Sequence, residues 1–127
     1  MRDFKHIRAW RRAHALGIAL HKLARGFGRA GHAKLRAQLT NVADSISTNI
    51  VEGCGAATKK EFARFLDISI KSANETEHHL LSARDHALIS AEAWSKYATE
   101  TIEIRKMIYV YRKKMLGGDN DVGPADR

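Results

Sequence analysis

The sequence predicts an all-α fold, an up-down-up-down four-helix bundle, and three observations support this prediction. The 127 residues contain one proline and 7% aromatic side chains, a composition that suits helices better than strands. Apolar residues recur at steps of three and four in four segments, which is the spacing of one face of an α-helix. Glycine or helix-capping residues separate these segments. At this length the helices are expected to form one domain with a single core.

The first helix is predicted over about residues 4–26, where Trp10, Leu16 and Leu20 lie on one apolar stripe. Gly26, followed by two further glycines, interrupts the pattern, because glycine destabilises a helix interior. The second helix has an apolar stripe of its own, made of Leu35, Leu39, Val42, Ile46 and Ile50.

The stretch NIVEGCGAATKKEF, residues 49–62, raises the question of whether it is an active-site loop or a turn. Gly53 is predicted to lie just past the end of the second helix. Thr58 and Glu61 form the Thr-x-x-Glu pattern of a capping box, in which each side chain satisfies an amide at a helix start. Cys54 has no base that the sequence places beside it, and a phosphate-binding loop would follow a strand instead of a helix. We therefore interpret this stretch as a turn.

The third helix is predicted to run from Thr58 for about 30 residues, as far as Ala87. Ser90 is the predicted N-cap of the fourth helix. The predicted bundle comprises residues 1–116. Residues 117–127 are predicted to be a disordered C-terminal tail, because they contain almost nothing to bury.

Small or hydrogen-bonding residues accompany the apolar stripes of the second and third helices. Ser45, Asn49 and Glu52 lie on the second helix, and Ser69, Ser72 and Glu75 lie on the third. Such residues allow helices to approach closely and fix their register through buried hydrogen bonds. We therefore predict a structural role for them instead of a catalytic one.

Some apolar residues do not fit a single stripe. Positions 107–111 are all apolar, and Ile7 and Ile18 lie well off the stripe of the first helix. Because a small bundle has only one interior, a second apolar side must be buried elsewhere. The sequence therefore predicts a homo-oligomer.

Several classes of function are not indicated. No run of about 18 apolar residues is present and the amino terminus is charged, so a cytoplasmic protein without a membrane partner is expected. Glu75 and His78 have the Glu-x-x-His spacing of di-iron bundles, but the second such pair that a di-iron site needs is absent. The sequence therefore predicts no metal, no cofactor, no catalytic residue and no enzymatic activity.

The positive charge is concentrated in one part of the chain. The formal net charge is +8, and residues 1–36 contain ten Lys or Arg against the single acid Asp3. Such an asymmetric surface attracts polyanions. We predict that the first helix binds nucleic acid, RNA or DNA, through phosphates and with little sequence preference, because no groove-reading motif accompanies it. The predicted contacts are Arg8, Arg11, Arg12, Lys22, Arg25 and Arg29. The alternative is an interaction scaffold whose basic face docks a protein partner.

Three stretches of the chain resemble a known family. They are FKHIRAWRRAHAL, LRAQLTNVADSISTNIVEGCG and KKEFARFLDISIKSANETEHHLLSA. They are similar to bacterial four-helix-bundle proteins encoded in intervening sequences of 23S rRNA genes, and the resemblance covers roughly residues 4–116. What the resemblance implies is a small bundle that assembles into a homopentameric ring.

The chain is also similar to the accessory variability determinant of diversity-generating retroelements, a basic pentameric bundle. That resemblance implies nucleic acid and a reverse transcriptase as partners. Lys71 stands before Ser72 where the family commonly has a small residue. This turn of the third helix is therefore expected to face outward or to lie at an altered interface.

Overall fold

The structure, a computed structural model, describes residues 2–117, and within that range it is all-α, with no strand. Its helices are α1 (Arg8–Leu23), α2 (Ala33–Cys54), α3 (Lys59–Asp85) and α4 (Ala91–Leu116). Short 3-10 turns at Phe4–His6 and Ala24–Gly26 flank α1. The predicted disordered tail lies outside the described residues, apart from Gly117, which caps α4.

The four helices share one core. Each helix packs against its successor in the chain, and α1 also packs against α4. Across the α2–α3 interface the hydroxyl of Ser69 donates to the carbonyl of Ile46 at 2.7 Å, and the hydroxyls of Ser45 and Ser72 lie 2.7 Å apart. The predicted structural role of these serines is confirmed, whereas Glu52 and Glu75 are exposed. The core includes large, fully buried side chains from every helix: Leu20, Leu39, Ile46, Leu66, Leu80, Ile104 and Ile108.

The predicted first helix is interrupted near its start and ends earlier than predicted. Ile7 has extended backbone angles (φ −87°, ψ 117°) between the turn Phe4–His6 and α1, and α1 ends at Leu23. The break leaves the side chain of Ile7 buried in the core. The prediction that Ile7 belongs to a surplus apolar surface is therefore wrong, because it assumed an unbroken helix through this residue.

The turn between α2 and α3 is confirmed, but the predicted role of Gly53 is wrong. Gly53 lies inside α2, which ends at Cys54 and is capped by Gly55. A Cβ atom on Gly53 would lie 2.5 Å from Cδ1 of Phe62, in the first turn of α3. This glycine is therefore required by the close approach of α3 and not by the end of α2.

The starts of α3 and α4 agree with the predicted caps. The hydroxyl of Thr58 accepts from the amide of Glu61 at 3.1 Å, and the hydroxyl of Ser90 accepts from the amide of Ala93 at 3.0 Å. The helix α3 ends two residues before Ala87, which has a left-handed backbone with φ of 58°.

Candidate nucleic-acid interface

The outer face of α1 has cations near both ends. The inner face buries Ala13, Leu16 and Leu20 at helical spacing, which directs the intervening side chains to solvent. Four of the predicted contacts are exposed on or beside this outer face: Arg8, Arg11, Lys22 and Arg25. Ile18, with 48% of its surface exposed, lies on the same face between the two cationic ends.

Arg12 does not belong to this exposed group. Its side chain is half-buried, its Nε donates to Oε2 of Glu100 at 2.9 Å, and its Nη2 donates to Oε1 of the same carboxylate. The hydrogen bond to Glu100 is also the main reason why the pKa of Arg12 is raised above its ordinary value. Its Nη1 lies 3.2 Å from the sulfur of Met107. Arg12 therefore joins α1 to α4, and we withdraw it from the candidate contacts.

Arg29 lies in the turn between α1 and α2 instead of extending the helical stripe. The helix ends at Leu23 and a 3-10 turn ends at Gly26, so Arg29 no longer follows the 3.6-residue period. It remains exposed. Arg11 keeps its place on α1, and its Nη1 donates to the carbonyl of Lys5 at 3.0 Å. This bond ties the outer face of α1 to the 3-10 turn that precedes it.

Three aromatic rings form a short stack at one edge of α1. The ring of His14 stacks on Trp10, with centroids 4.9 Å apart and planes 11° apart. Phe4 meets Trp10 edge-on, with centroids 4.7 Å apart. The sequence placed Trp10 on the core stripe, but Trp10 is only partly buried. The stack arises because Trp10 and His14 are four residues apart on one helix face and the break at Ile7 brings Phe4 back against them.

An open groove of about 330 Å³ lies between α1 and α2. One side is formed by His14, Ile18, His21 and Lys22 of α1 with Arg25 of the following 3-10 turn, and the α2 side by Asp44 and Ser47. Nε2 of His21 lies 2.8 Å from Oδ2 of Asp44, which joins the two helices. A Cβ atom on Gly17 would lie 3.2 Å from Oδ1 of Asp44, so the glycine lets α1 approach this carboxylate.

A second exposed surface lies on α3 and α4. Of the apolar run at 107–111, Tyr109 is 60% exposed and Val110 is 43% exposed, and with Ile70 they line a groove. Arg105 borders this groove and donates to Asn74 at 2.9 Å and to Glu77 at 2.6 Å. The surplus apolar surface predicted for α4 is therefore present, although Ile108 and Tyr111 of the same run are buried.

The remaining candidate groups have no arrangement that indicates chemistry. Burial raises the pKa of the Cys54 thiol to about 11, so the thiol is protonated near neutral pH. Between residues 2 and 117, no three His, Cys, Asp or Glu side chains come close enough to hold a metal ion. In the same range no helix is long and apolar enough to cross a membrane.

One protein family and one solved structure are similar to this chain. The family model for the 23S rRNA-intervening sequence protein matches residues 5–110. The chain belongs to this family. A crystal structure from the S23 ribosomal protein family of Bacteroides thetaiotaomicron VPI-5482, a protein of unknown function, is 22% identical to this intervening-sequence protein. The likeness covers 83% of this chain and 95% of that one with a TM-score of 0.77, which shows a common fold. No curated protein matches the chain.

Sequence reasoning missed two features of this intervening-sequence protein. One is the ion pair between Arg12 and Glu100, which depends on which residue of α4 lies opposite Arg12. The other is the α1–α2 groove, where Ile18 and Asp44 come together from distant parts of the sequence. The sequence signal for this ion pair is the acidic residue Glu100 in the fourth helix. The signal for the groove is Ile18, which lies off the apolar stripe of the first helix and by itself indicates only oligomerisation.

Proposed function

We propose that this protein is a non-enzymatic, oligomeric four-helix protein that binds nucleic acid through the outer face of α1, with little sequence preference. The observation that carries the proposal is the excess of cations over acids in this part of the sequence. No Asp or Glu occurs between Asp3 and Asp44. Side chains of like charge repel one another, and a phosphate backbone relieves that repulsion. The contacts that we propose are Arg8, Arg11, Lys22, Arg25 and Arg29.

The size of the face fits several phosphates. The 16 residues of α1 extend over roughly 24 Å at about 1.5 Å per residue. Phosphates along one strand are spaced by about 3.4 Å, so the face is long enough for about seven of them. With five cations in contact, the logarithm of the duplex association constant should fall with the logarithm of salt concentration with a slope of about −4.5.

Fluorescence anisotropy with labelled duplex DNA and RNA of mixed sequence tests the proposal. We expect binding at about 50 mM salt that weakens steeply towards about 200 mM. The variant R8E/R25E should lose most of this binding. Its matched control is K71E/K113E, which makes the same change in net charge at exposed positions on α3 and α4. Equal losses in both variants, or no binding at low salt, would contradict the proposal. In the second case an acidic protein surface, such as that of a reverse transcriptase partner, becomes the expected occupant.

We also propose that the helices alternate in direction and that the protein assembles into a ring, a homopentamer. Contacts between facing helices support the alternation. Gly53 near the end of α2 faces Phe62 near the start of α3, and Arg112 near the end of α4 lies beside Asp67 near the start of α3, with 2.6 Å between Nε and Oδ1. The exposed Tyr109 and its apolar neighbours on α3 and α4 are the proposed subunit interface.

Light scattering coupled to size exclusion tests the assembly. A pentamer has five times the 14.2 kDa subunit mass. The Tyr109→Lys variant places a third cation beside Arg105 and Lys106, and it should lower the measured mass. Ile68→Lys is the matched control, because Ile68 is an exposed apolar residue of α3 that does not line this groove. A monomeric wild type, or a Tyr109→Lys variant of unchanged mass, would contradict this interface.

A further inference from the structure

The α1–α2 groove combines features that a purely electrostatic surface does not need. His14 and Ile18 form an exposed aromatic and apolar wall, one helical turn apart on α1. Lys22 and Arg25 follow on the same helix and turn. Contacts to phosphates would be made equally well by a face that is polar throughout, because phosphate recognition uses charge and hydrogen bonds. The apolar wall in the middle of the cationic face therefore calls for a ligand with both an anionic and an apolar part.

We propose that this groove makes the surface selective for single-stranded nucleic acid. An unpaired base packs against His14 and Ile18 while the neighbouring phosphates lie on Lys22 and Arg25. The inference rests on the proposed nucleic-acid binding and adds to it the class of ligand. Single strands present bases that can be splayed out and stacked on a side chain, whereas a duplex keeps its bases inside.

The aromatic stack holds the ring of His14 in a position where a base can pack against it. Trp10 covers one face of the imidazole at 4.9 Å with nearly parallel planes, and Phe4 packs edge-on against Trp10. His14 is itself exposed and lines the groove. A base placed in the groove would continue the stack on a ring that is already held in position. Holding the ring in advance lowers the entropy lost on binding.

The acid in the groove determines how the strand lies. Asp44 on the α2 side repels phosphates, although its pairing with His21 reduces that effect. Lys22 and Arg25 on the α1 side attract phosphates. The backbone of the strand therefore lies along α1, with its bases directed towards α2. Ser47 and the carboxylate of Asp44 border the groove there and can hydrogen-bond to base edges.

The length of the groove sets its site size. His14 and Lys22 are eight residues apart, which corresponds to roughly 12 Å along a helix. At about 3.4 Å per phosphate of a stacked strand, this distance spans three to four nucleotides. The groove volume of about 330 Å³ lies within the range of sites that hold small ligands. One or two bases therefore fit inside it, with phosphates on either side.

The decisive probe is a single strand without bases. Three labelled ligands with equal numbers of phosphates are compared by anisotropy at about 150 mM salt: a mixed-sequence single strand, an abasic single strand and a duplex. We expect the mixed-sequence strand to bind roughly tenfold more tightly than the abasic strand, since each base stacked on a side chain adds to the affinity. Equal affinity for these two strands would overturn the inference, because it would show that bases contribute nothing.

A double variant tests the groove itself. H14S/I18S removes the stacking surface without changing formal charge, and both positions are exposed, so the fold should be retained. We expect the preference for the mixed-sequence strand over the abasic strand to fall from roughly tenfold towards onefold. Ile68→Ser, an exposed apolar residue of α3, is the matched control and should keep the full preference. A preference that survives in H14S/I18S would overturn the assignment to this groove.

The outcome for the duplex separates this inference from the proposed function. If the duplex and both single strands bind with equal affinity and steep salt dependence, the proposed binding through the outer face of α1 is correct and the proposed selectivity for single strands is wrong. If none of the three ligands binds at about 50 mM salt, both proposals are wrong.

Discussion

The guanidinium of Arg12 and the carboxylate of Glu100 form a two-pronged ion pair that joins α1 to α4. About a third of each side chain is accessible to solvent, 30% for Arg12 and 34% for Glu100, so solvent screens much of the Coulomb energy of the pair. Its planar geometry nevertheless satisfies two donors of the guanidinium at once. Arg12 is thus a residue of the helix interface, in contrast to its neighbours on the outer face.

Replacing Arg12 should therefore affect stability and leave binding largely intact. We expect Arg12→Ala to lower the free energy of unfolding by about 1 kcal/mol, through loss of the pair and of its packing on Met107. Urea denaturation at fixed protein concentration measures this change. Arg8→Ala is the control and should leave the unfolding midpoint in place while weakening binding to nucleic acid. The reverse pattern would return Arg12 to the phosphate contacts.

Gly53 provides a sharper test of the helix packing. A methyl group there would meet the ring of Phe62 at 2.5 Å, so either the ring or the two helices must shift. We expect Gly53→Ala to destabilise the protein by about 1–2 kcal/mol, because the strain of overpacking exceeds the gain in helix propensity. Gly55→Ala is the matched control, since a Cβ atom there finds its nearest neighbour at an ordinary 3.6 Å. Its unfolding midpoint in urea should stay close to that of the wild type. Equal midpoints for both variants would contradict the close approach.

Gly53 also shows which parts of the fold the sequence could predict. Helix number, the Thr58 and Ser90 caps and the α2–α3 turn depend on residues within a few positions of one another, and all are observed. The reason for Gly53 depends on Phe62 across a turn, and the sequence offered a helix stop as the simpler explanation. Local patterns determine where helices begin, and the packing partner determines why a buried glycine is needed.

The candidate site follows the same division. The concentration of charge at Arg8 and Arg25 is visible in the sequence, because it needs only counting and helical spacing. The pairing of Arg12 with Glu100 and the position of Asp44 beside Ile18 are contacts between distant segments. A single sequence carries no local signal for such contacts. The charge of the outer face of α1 could therefore be predicted. The α1–α2 groove, and the exclusion of Arg12 from the candidate contacts, could not.

Ala87 offers a way to stabilise the protein. Its φ of 58° lies in the left-handed region, which costs a residue with a Cβ atom roughly 1 kcal/mol and costs glycine much less. We expect Ala87→Gly to raise the unfolding midpoint in urea by the equivalent of about 0.5–1 kcal/mol. Ala37→Gly, at an exposed position inside α2, is the control with the opposite expected sign, since glycine lowers helix stability. A loss of stability in Ala87→Gly would show that this backbone is not left-handed in solution.

His79 should make stability depend on pH on the acidic side of neutrality. Burial lowers the pKa of His79 below its ordinary value of 6.5, and neighbouring His78 adds to this, while Glu75 opposes it. Below pH 6.5 the unfolded chain therefore binds a proton that the folded protein resists. The contribution to stability is fully present above pH 6.5 and is lost as the pH falls from 6.5 through the lower folded-state pKa. Urea titrations between about pH 5 and pH 8 measure the effect, because His titrates in that window.

The variant His79→Gln isolates this contribution. Glutamine is polar and does not titrate, so the difference in unfolding free energy between wild type and variant should change with pH only below about 6.5. In that range the wild type should lose stability relative to the variant as the solution is acidified. A parallel pH dependence in the two proteins would show that His79 protonates equally well in the folded and unfolded states. A steeper loss in the variant would mean that the folded wild type favours protonated His79, contrary to its burial beside His78.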